Sequence, residues 1–166
     1  NKTMMEGYER VLKARLSDAA FFYETDTKAS LETLVPKLDQ IIFQTKLGSL
    51  GQKVKRLQHL MTSEKGKRAA LLCKADLLTY MVGEFPELQG TMGEIYARLA
   101  GEPEDVALAL KEYYQPQGAN DDCPTLPLSV ELALADKMDS LVGFIGVGIK
   151  PTGSKDPYGL RRAALG

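Results

Sequence analysis

Residues 71–82 read Leu-Leu-Cys-Lys-Ala-Asp-Leu-Leu-Thr-Tyr-Met-Val, an apolar run that carries one lysine and one aspartate near its middle. Apolar side chains recur at helical spacing on both sides of this stretch, which predicts a helix over 66–81 that is buried nearly all round. Asp76 falls within one of the apolar stripes. Because a buried carboxylate needs a partner, a metal ion or a raised pKa, the stretch predicts a helical core with a charged group inside it.

A second apolar helix is predicted from Pro127 to about residue 141, and it also carries aspartates. We expect one stripe of this helix to face a core, namely Val130, Leu134, Met138 and Leu141. Asp136 and Asp139 stand one turn apart on another side. These two carboxylates either bind a cation together or accept hydrogen bonds from Lys or Arg side chains, and ion pairs that fix helix packing are the simpler interpretation.

The remaining chain also favours helices, whereas the alternating pattern of β-strands is weak. Helical spacing is seen over 10–23, 30–42, about 52–61, 87–99 and 103–114, with Pro36 expected to bend or divide the second of these segments. A polar loop covers 115–125, a Gly-rich connection covers 143–155, and a last helix begins after Pro157. We therefore predict one all-α domain over residues 1–166, a bundle of about seven or eight helices.

Composition excludes several classes of protein. The chain has 166 residues, a net charge of -1 and 44% hydrophobic residues, which is typical of a folded domain. No run approaches the roughly 20 apolar residues of a membrane span, and no signal segment opens the chain. The only cysteines, Cys73 and Cys123, cannot form a disulfide framework. We expect a cytoplasmic protein without membrane contact. Because the chain starts at Asn1 and its last helix is cut short, we also expect an excised piece of a longer polypeptide, with natural processing as the other interpretation.

The single histidine, His59, limits the available chemistry. One His and two Cys at this spacing do not supply a four-ligand zinc cluster, and a Ser-His-Asp triad would have to pass through His59. We expect His59 to be a surface or packing residue.

Charge is unevenly distributed along the chain. Residues 50–74 carry seven basic side chains and one acid, whereas residues 101–136 carry eight acids and one lysine. Two interpretations are open at this point. The segments neutralise one another or lie on solvated faces, or the basic segment meets a polyanion.

The two aspartates in apolar helices resemble the carboxylates of the HD superfamily of metal-dependent phosphohydrolases. That family holds a divalent metal with imidazoles and carboxylates, but Lys74 or Ala75 stands where a histidine is required. Asp76 and Asp136 would be the surviving carboxylates. The resemblance implies an HD-like helical domain with a degenerate, metal-free site, in which Lys74 is the counter-charge to Asp76 and Asp136. A working HD-type phosphohydrolase is the alternative.

A more specific resemblance rests on several collinear stretches. The chain resembles the β subunit of the bacterial two-subunit glycyl-tRNA synthetase over 15–22, 44–50, 74–90, 133–143, 151–158 and 160–166. This resemblance implies part of a ligase that joins glycine to its tRNA, with ATP and Mg²⁺ used on the separate α subunit. It implies no cofactor and no catalytic residue in this domain. The implied partners are tRNA(Gly), the α subunit and the rest of the β subunit.

The resemblance directs attention to the basic residues. The tRNA-binding candidates are Lys150, Lys155, Arg161 and Arg162, since neighbouring glycines, among them Gly153, permit close backbone approach there. Lys53 and Arg56 form a second candidate face. The other interpretation is that Arg161 and Arg162 pair with Asp136 or Asp139 inside the domain.

Overall fold

The all-α prediction is confirmed by the computed structural model, which describes residues 2–118, 120–152 and 155–165, except the side chains of Lys2 and Thr3. Gly153 lies outside these residues. The α-helices of the described part are α1 (Lys2–Asp26), α2 (Leu50–Leu60), α3 (Glu64–Leu72), α4 (Tyr80–Glu84), α5 (Thr91–Leu99), α6 (Glu104–Glu112), α7 (Pro127–Gly146) and α8 (Leu160–Leu165). Within the same described residues, 3-10 helices cover Leu31–Gln40, Ala75–Leu78 and Pro86–Leu88.

The core lies where α3, α5, α6 and α7 pack together over the 3-10 helix Ala75–Leu78. Leu72, Leu110, Leu132 and Tyr113 are among its largest fully buried side chains. Burial of apolar area on this scale is the main favourable term in folding. None of the described helices is long and apolar enough to cross a membrane.

The predicted helix over 66–81 is interrupted. α3 ends at Leu72, and α4 begins at Tyr80 after the 3-10 turn that contains Asp76. The Thr79 hydroxyl accepts the Val82 N–H at 3.3 Å, and the carboxylate of Asp26 accepts the N–H groups of Tyr80 and Met81 at 2.9 Å each. These acceptors satisfy the first donors of a new helix, which apolar periodicity alone cannot reveal.

The structure also differs from the α-helix predicted over 30–42. Residues 31–40 form a 3-10 helix with Pro36 in its interior, where the missing N–H removes one α-helical hydrogen bond. Ile42 starts a short strand, β1 (Ile42–Gln44), which pairs antiparallel with β2 (Gly48–Ser49). Ser49 and Gln52 then form a reciprocal capping box that starts α2.

Two residues of the α7 stripe that was expected to face the core point outward instead. Leu134 is 57% exposed and Met138 is 53% exposed, whereas Leu132, Ala133 and Ala135 are buried. The helix is rotated so that the side bearing Asp136 and Asp139 meets the cations of α2 and the α3 end. The expectation was therefore wrong for Leu134 and Met138, whereas Val130 and Leu141 are half-buried.

Candidate functional site

Asp136 and Asp139 of α7 meet a buried lysine from α2. Lys53 is only 2% exposed, and its Nζ lies 3.1 Å from Asp136 Oδ1 and 2.9 Å from Asp139 Oδ2. The same ammonium donates a hydrogen bond to Ser140 Oγ at 2.9 Å. Burial raises the pKa of Asp136, but the charges of Lys74 and Lys53 outweigh this effect and hold that pKa below its ordinary value.

Arg56 binds the other side of the cluster. Its Nε and Nη2 donate to the two carboxylate oxygens of Asp139 at 2.5 and 3.1 Å, and Nη1 donates to the Leu47 carbonyl oxygen at 3.2 Å. Burial raises the pKa of Asp139, but the bonds to Arg56 and the charge of Lys53 leave it lowered overall. This two-point contact is the strong, orientation-specific form of an ion pair.

Lys74 contacts the same cluster from the end of α3. Its Nζ lies 3.2 Å from Asp136 Oδ1 and above the rings of Tyr113 and Tyr114, at 4.7 and 5.1 Å from their centroids. Burial lowers the pKa of Lys74, but the charge of Asp136 outweighs this effect, so that the pKa is raised overall. The expected counter-charge role of Lys74 toward Asp136 is therefore present in the structure.

Asp76 is held differently. Its side chain is buried, with 2% of the residue exposed, and Oδ2 accepts the backbone N–H of Gly90 at 2.7 Å. Lys74 acts on Asp76 only as a nearby charge, because among the described residues no ion pair joins the two. Burial raises the pKa of Asp76, and the Gly90 bond and the Lys74 charge offset this only in part.

These residues do not fit a divalent metal ion. The Asp136 carboxylate already lies within 3.2 Å of two ammonium groups, Lys53 and Lys74, which would repel a cation placed there. No group of three or more His, Cys, Asp and Glu side chains suited to a metal ion is found within the described ranges. His59 is exposed, as expected, and its Nδ1 lies 2.7 Å from the Lys55 carbonyl oxygen.

The basic segment 50–74 is neutralised within the molecule. Besides the three cations already described, the ion pairs are Lys55–Asp39, Lys65–Asp105, Lys67–Glu64, Arg68–Glu32 and Arg68–Glu102. All seven basic side chains thus have a carboxylate partner, and three of the acids belong to the segment 101–136. Of the two interpretations of the charge pattern, intramolecular complementarity is the one that the structure supports.

This arrangement corrects one candidate. Lys53 was expected on an RNA-facing surface, but it is buried with its donors directed at Asp136, Asp139 and Ser140. Withdrawing it would remove one of the two cations that contact each of these carboxylates. Arg56 keeps a half-exposed edge, yet its guanidinium is engaged by Asp139 and Leu47.

The other candidates lie together near α8. Lys150 and Lys155 are exposed, as are the side chains of Arg161 and Arg162. Arg161 donates to the Thr152 carbonyl oxygen, and Arg162 donates to that of Gln117 at 3.2 Å.

The pairing of these arginines with Asp136 or Asp139 is not found in the described contacts, because Lys53, Arg56 and Lys74 occupy those carboxylates. The Asp156 carboxylate instead accepts the backbone N–H groups of Leu160 and Arg161 at 2.9 Å each.

Two tyrosines at the site were not predicted from the sequence. Tyr113 donates its hydroxyl to the Cys73 carbonyl oxygen at 2.6 Å, and with Tyr114 it covers Lys74. The only available signal was an aromatic pair at the end of a predicted helix, which does not by itself indicate what it covers.

Comparisons with known proteins identify relatives over the whole length of the chain. The family model described as the glycyl-tRNA synthetase beta subunit matches residues 1–166. The glycine–tRNA ligase beta subunit of Neisseria meningitidis serogroup C (strain 053442) is 52% identical over 98% of this chain and 25% of its own length. That of Trichodesmium erythraeum (strain IMS101) is 54% identical over 96% of this chain and 24% of its own length. The chain thus spans about a quarter of the length of these relatives.

Proposed function

This chain belongs to the glycyl-tRNA synthetase beta subunit family, and from that membership we propose that it is a tRNA-binding and scaffold part of a glycine–tRNA ligase. The complete enzyme would attach glycine to tRNA(Gly) in the cytoplasm at the expense of ATP. In this proposal, glycine, ATP and Mg²⁺ are handled by the α subunit. The present domain then needs no cofactor and no catalytic residue of its own.

The RNA part of the proposal rests on a difference between the basic residues of 50–74, which are paired with carboxylates, and the exposed lysines near α8. Within residues 50–74, Lys53 and Lys74 are buried against Asp136 and Arg56 is held at two points by Asp139, which leaves these three cations little capacity for phosphates. The remaining cations of this segment already have a carboxylate partner, although their pairs are more exposed and weaker. Lys150 and Lys155 are exposed, and no ion pair involves them within the described ranges. Exposed lysines position RNA through its phosphates without reading its sequence.

The scaffold part rests on the charged cluster between α2, α3 and α7. Asp136 and Asp139 hold Lys53, Arg56 and Lys74, so that three separate segments of the chain are joined. Charged groups that are already paired and partly buried are poor general acids, bases or metal ligands, but they fix the packing of helices. We infer that an HD-like ancestor's metal position now serves this structural role.

The test uses the α/β holoenzyme with the double variant Lys150→Glu/Lys155→Glu. We expect its tRNA affinity to fall about tenfold or more at moderate salt, because two phosphate contacts become repulsive. Glycine-dependent ATP–pyrophosphate exchange should be unchanged. The matched control is Lys28→Glu/Lys37→Glu, which makes the same charge change at two exposed lysines of another region. Equal losses in both variants, or no loss in the first, would contradict the proposal.

A further inference from the structure

The outward face of α7 carries an apolar stripe that the rest of the described chain does not cover. Met138 and Val142, four residues apart, are 53% and 64% exposed, and Leu134 and Ile145 extend the stripe in both directions. Isolated exposed apolar residues are common, but a continuous row on one helix face is typical of a surface that is covered in the complete protein. The i, i+4 spacing forms a ridge of the kind against which another helix packs.

Met138 and Val142 of this stripe form one wall of a groove. Leu60 at the end of α2 and Leu47 between the two strands complete the apolar lining, and the groove has a volume of about 690 Å³. Leu47 packs against Gly143, where an added Cβ would lie 3.2 Å from Leu47 Cδ1. We call this feature the α2–α7 groove. It is large enough for several apolar side chains from one face of a helix.

The charges around the α2–α7 groove indicate which charge the segment bound there should carry on its flank. Asp139 is already neutralised by Lys53 and Arg56. Lys46 is exposed at the edge, and its ammonium donates to the Val147 carbonyl oxygen at 3.4 Å, with no carboxylate partner within the described ranges. His59 presents its remaining ring nitrogen at the same edge. The groove therefore offers an apolar floor with unneutralised positive charge beside it, which suits an acidic flank.

We propose that the α2–α7 groove docks an amphipathic helix with an acidic flank, supplied by the part of the β subunit that lies outside these 166 residues. In the Neisseria relative, the matched region is 25% of the subunit, so most of that polypeptide is tethered to this domain. Tethering gives a high effective concentration, which favours a segment of the same chain over a separate molecule. The proposal does not depend on tRNA binding and stands or falls separately from it.

The test is thiol accessibility in the complete β subunit. Val142→Cys is made in a Cys123→Ser background, since Cys123 is exposed, and maleimide labelling at position 142 is followed by peptide mass spectrometry. We expect labelling at least about tenfold slower in the native subunit than in denaturant. Leu99→Cys is the matched control, because Leu99 is exposed to a similar degree and lies outside the groove. It should label much faster than position 142.

Each other outcome overturns part of the proposal. Rapid labelling of position 142 in both the β subunit and the holoenzyme would mean that nothing occupies the groove. Protection that appears only after the α subunit is added, or only at high β-subunit concentration, would assign the groove to the α subunit or to a second copy. Adding Lys46→Glu should increase labelling at least about threefold by repelling the acidic flank. Lys37→Glu is the control for this charge change. If Lys46→Glu leaves the labelling rate at position 142 unchanged, the occupant has no acidic flank.

Discussion

The ammonium of Lys74 lies 3.2 Å from the carboxylate of Asp136, with the rings of Tyr113 and Tyr114 beside it. Lys74 lies just after the end of α3, and Asp136 lies within α7. Lys74 and Lys53 both neutralise the charge of Asp136. The Lys74–Asp136 contact also joins the end of α3 to α7.

Replacement of Asp136 by Asn should strongly destabilise the domain. Lys53 and Lys74 would lose their shared carboxylate while staying buried, and removing one partner of a buried ion pair costs about 3 kcal/mol. Asp39→Asn is the matched control, since the Lys55–Asp39 pair is exposed and such pairs contribute about 0–1 kcal/mol. The free energy of unfolding in urea measures both changes. Similar losses in the two variants would show that the cluster has no special structural role.

Acid should weaken the domain through Asp139. Its pKa is lowered in the folded state, so its contribution to stability is complete above the unfolded pKa of about 3.9 and is lost as pH falls through the folded pKa. We expect the free energy of unfolding to decline below about pH 5, and to decline less steeply in Asp139→Asn. Urea titrations of both proteins between pH 7 and pH 3 provide the comparison. Parallel profiles would contradict the assigned role of Asp139.

Asp76 should show the opposite pH dependence. Its folded pKa is raised, so the carboxylate costs stability as pH increases from about 4 through that folded pKa. Asp76→Asn keeps an acceptor for the Gly90 N–H and removes the charge, and it should therefore gain stability relative to the native protein over this range. Asp76→Ala leaves Gly90 without its acceptor and should lose about 1–3 kcal/mol. The same urea titrations distinguish these outcomes, and a constant difference between native and Asn proteins would refute the prediction.

Gly90 should tolerate substitution less well than Gly101. Both glycines have positive φ, at 81° and 79°, so alanine is strained at either position. At Gly90 an added Cβ would also lie 2.7 Å from the Tyr114 ring, whereas nothing lies within 4 Å at Gly101. We expect Gly90→Ala to cost at least about 1 kcal/mol more than Gly101→Ala in urea unfolding. Equal costs would mean that Tyr114 yields without loss, and that its position over Lys74 is not fixed by packing.

The sequence allowed the helical class and the unusual aspartates to be predicted, because both follow from local patterns. Helical periodicity identified the segments of α2, α5, α6 and α7, and apolar neighbours marked Asp76 and Asp136 as buried charges. The break between α3 and α4 was not predictable in this way. It depends on Asp26, which is distant along the chain and supplies acceptors for Tyr80 and Met81.

The ion-pair partners of the charged residues could not be predicted from the sequence either. Lys53 has the same local appearance as Lys55, yet one is buried against Asp136 and Asp139 while the other forms an exposed pair with Asp39. Their difference arises from the rotation of α2 against α7. The same rotation turned Leu134 and Met138 outward, because hydrophobic periodicity identifies an apolar face without stating which molecule or segment will cover it.

The central claim, that RNA contact belongs to the exposed lysines near α8, is tested most directly by the salt dependence of tRNA binding to the holoenzyme. Each phosphate contact that is removed lowers the slope of log K against log salt by about 0.7–0.9. We predict that Lys150→Ala/Lys155→Ala lowers this slope by about 1–2, whereas Lys28→Ala/Lys37→Ala leaves it unchanged. An unchanged slope for the first variant would contradict the claim and leave this domain with a scaffold role alone.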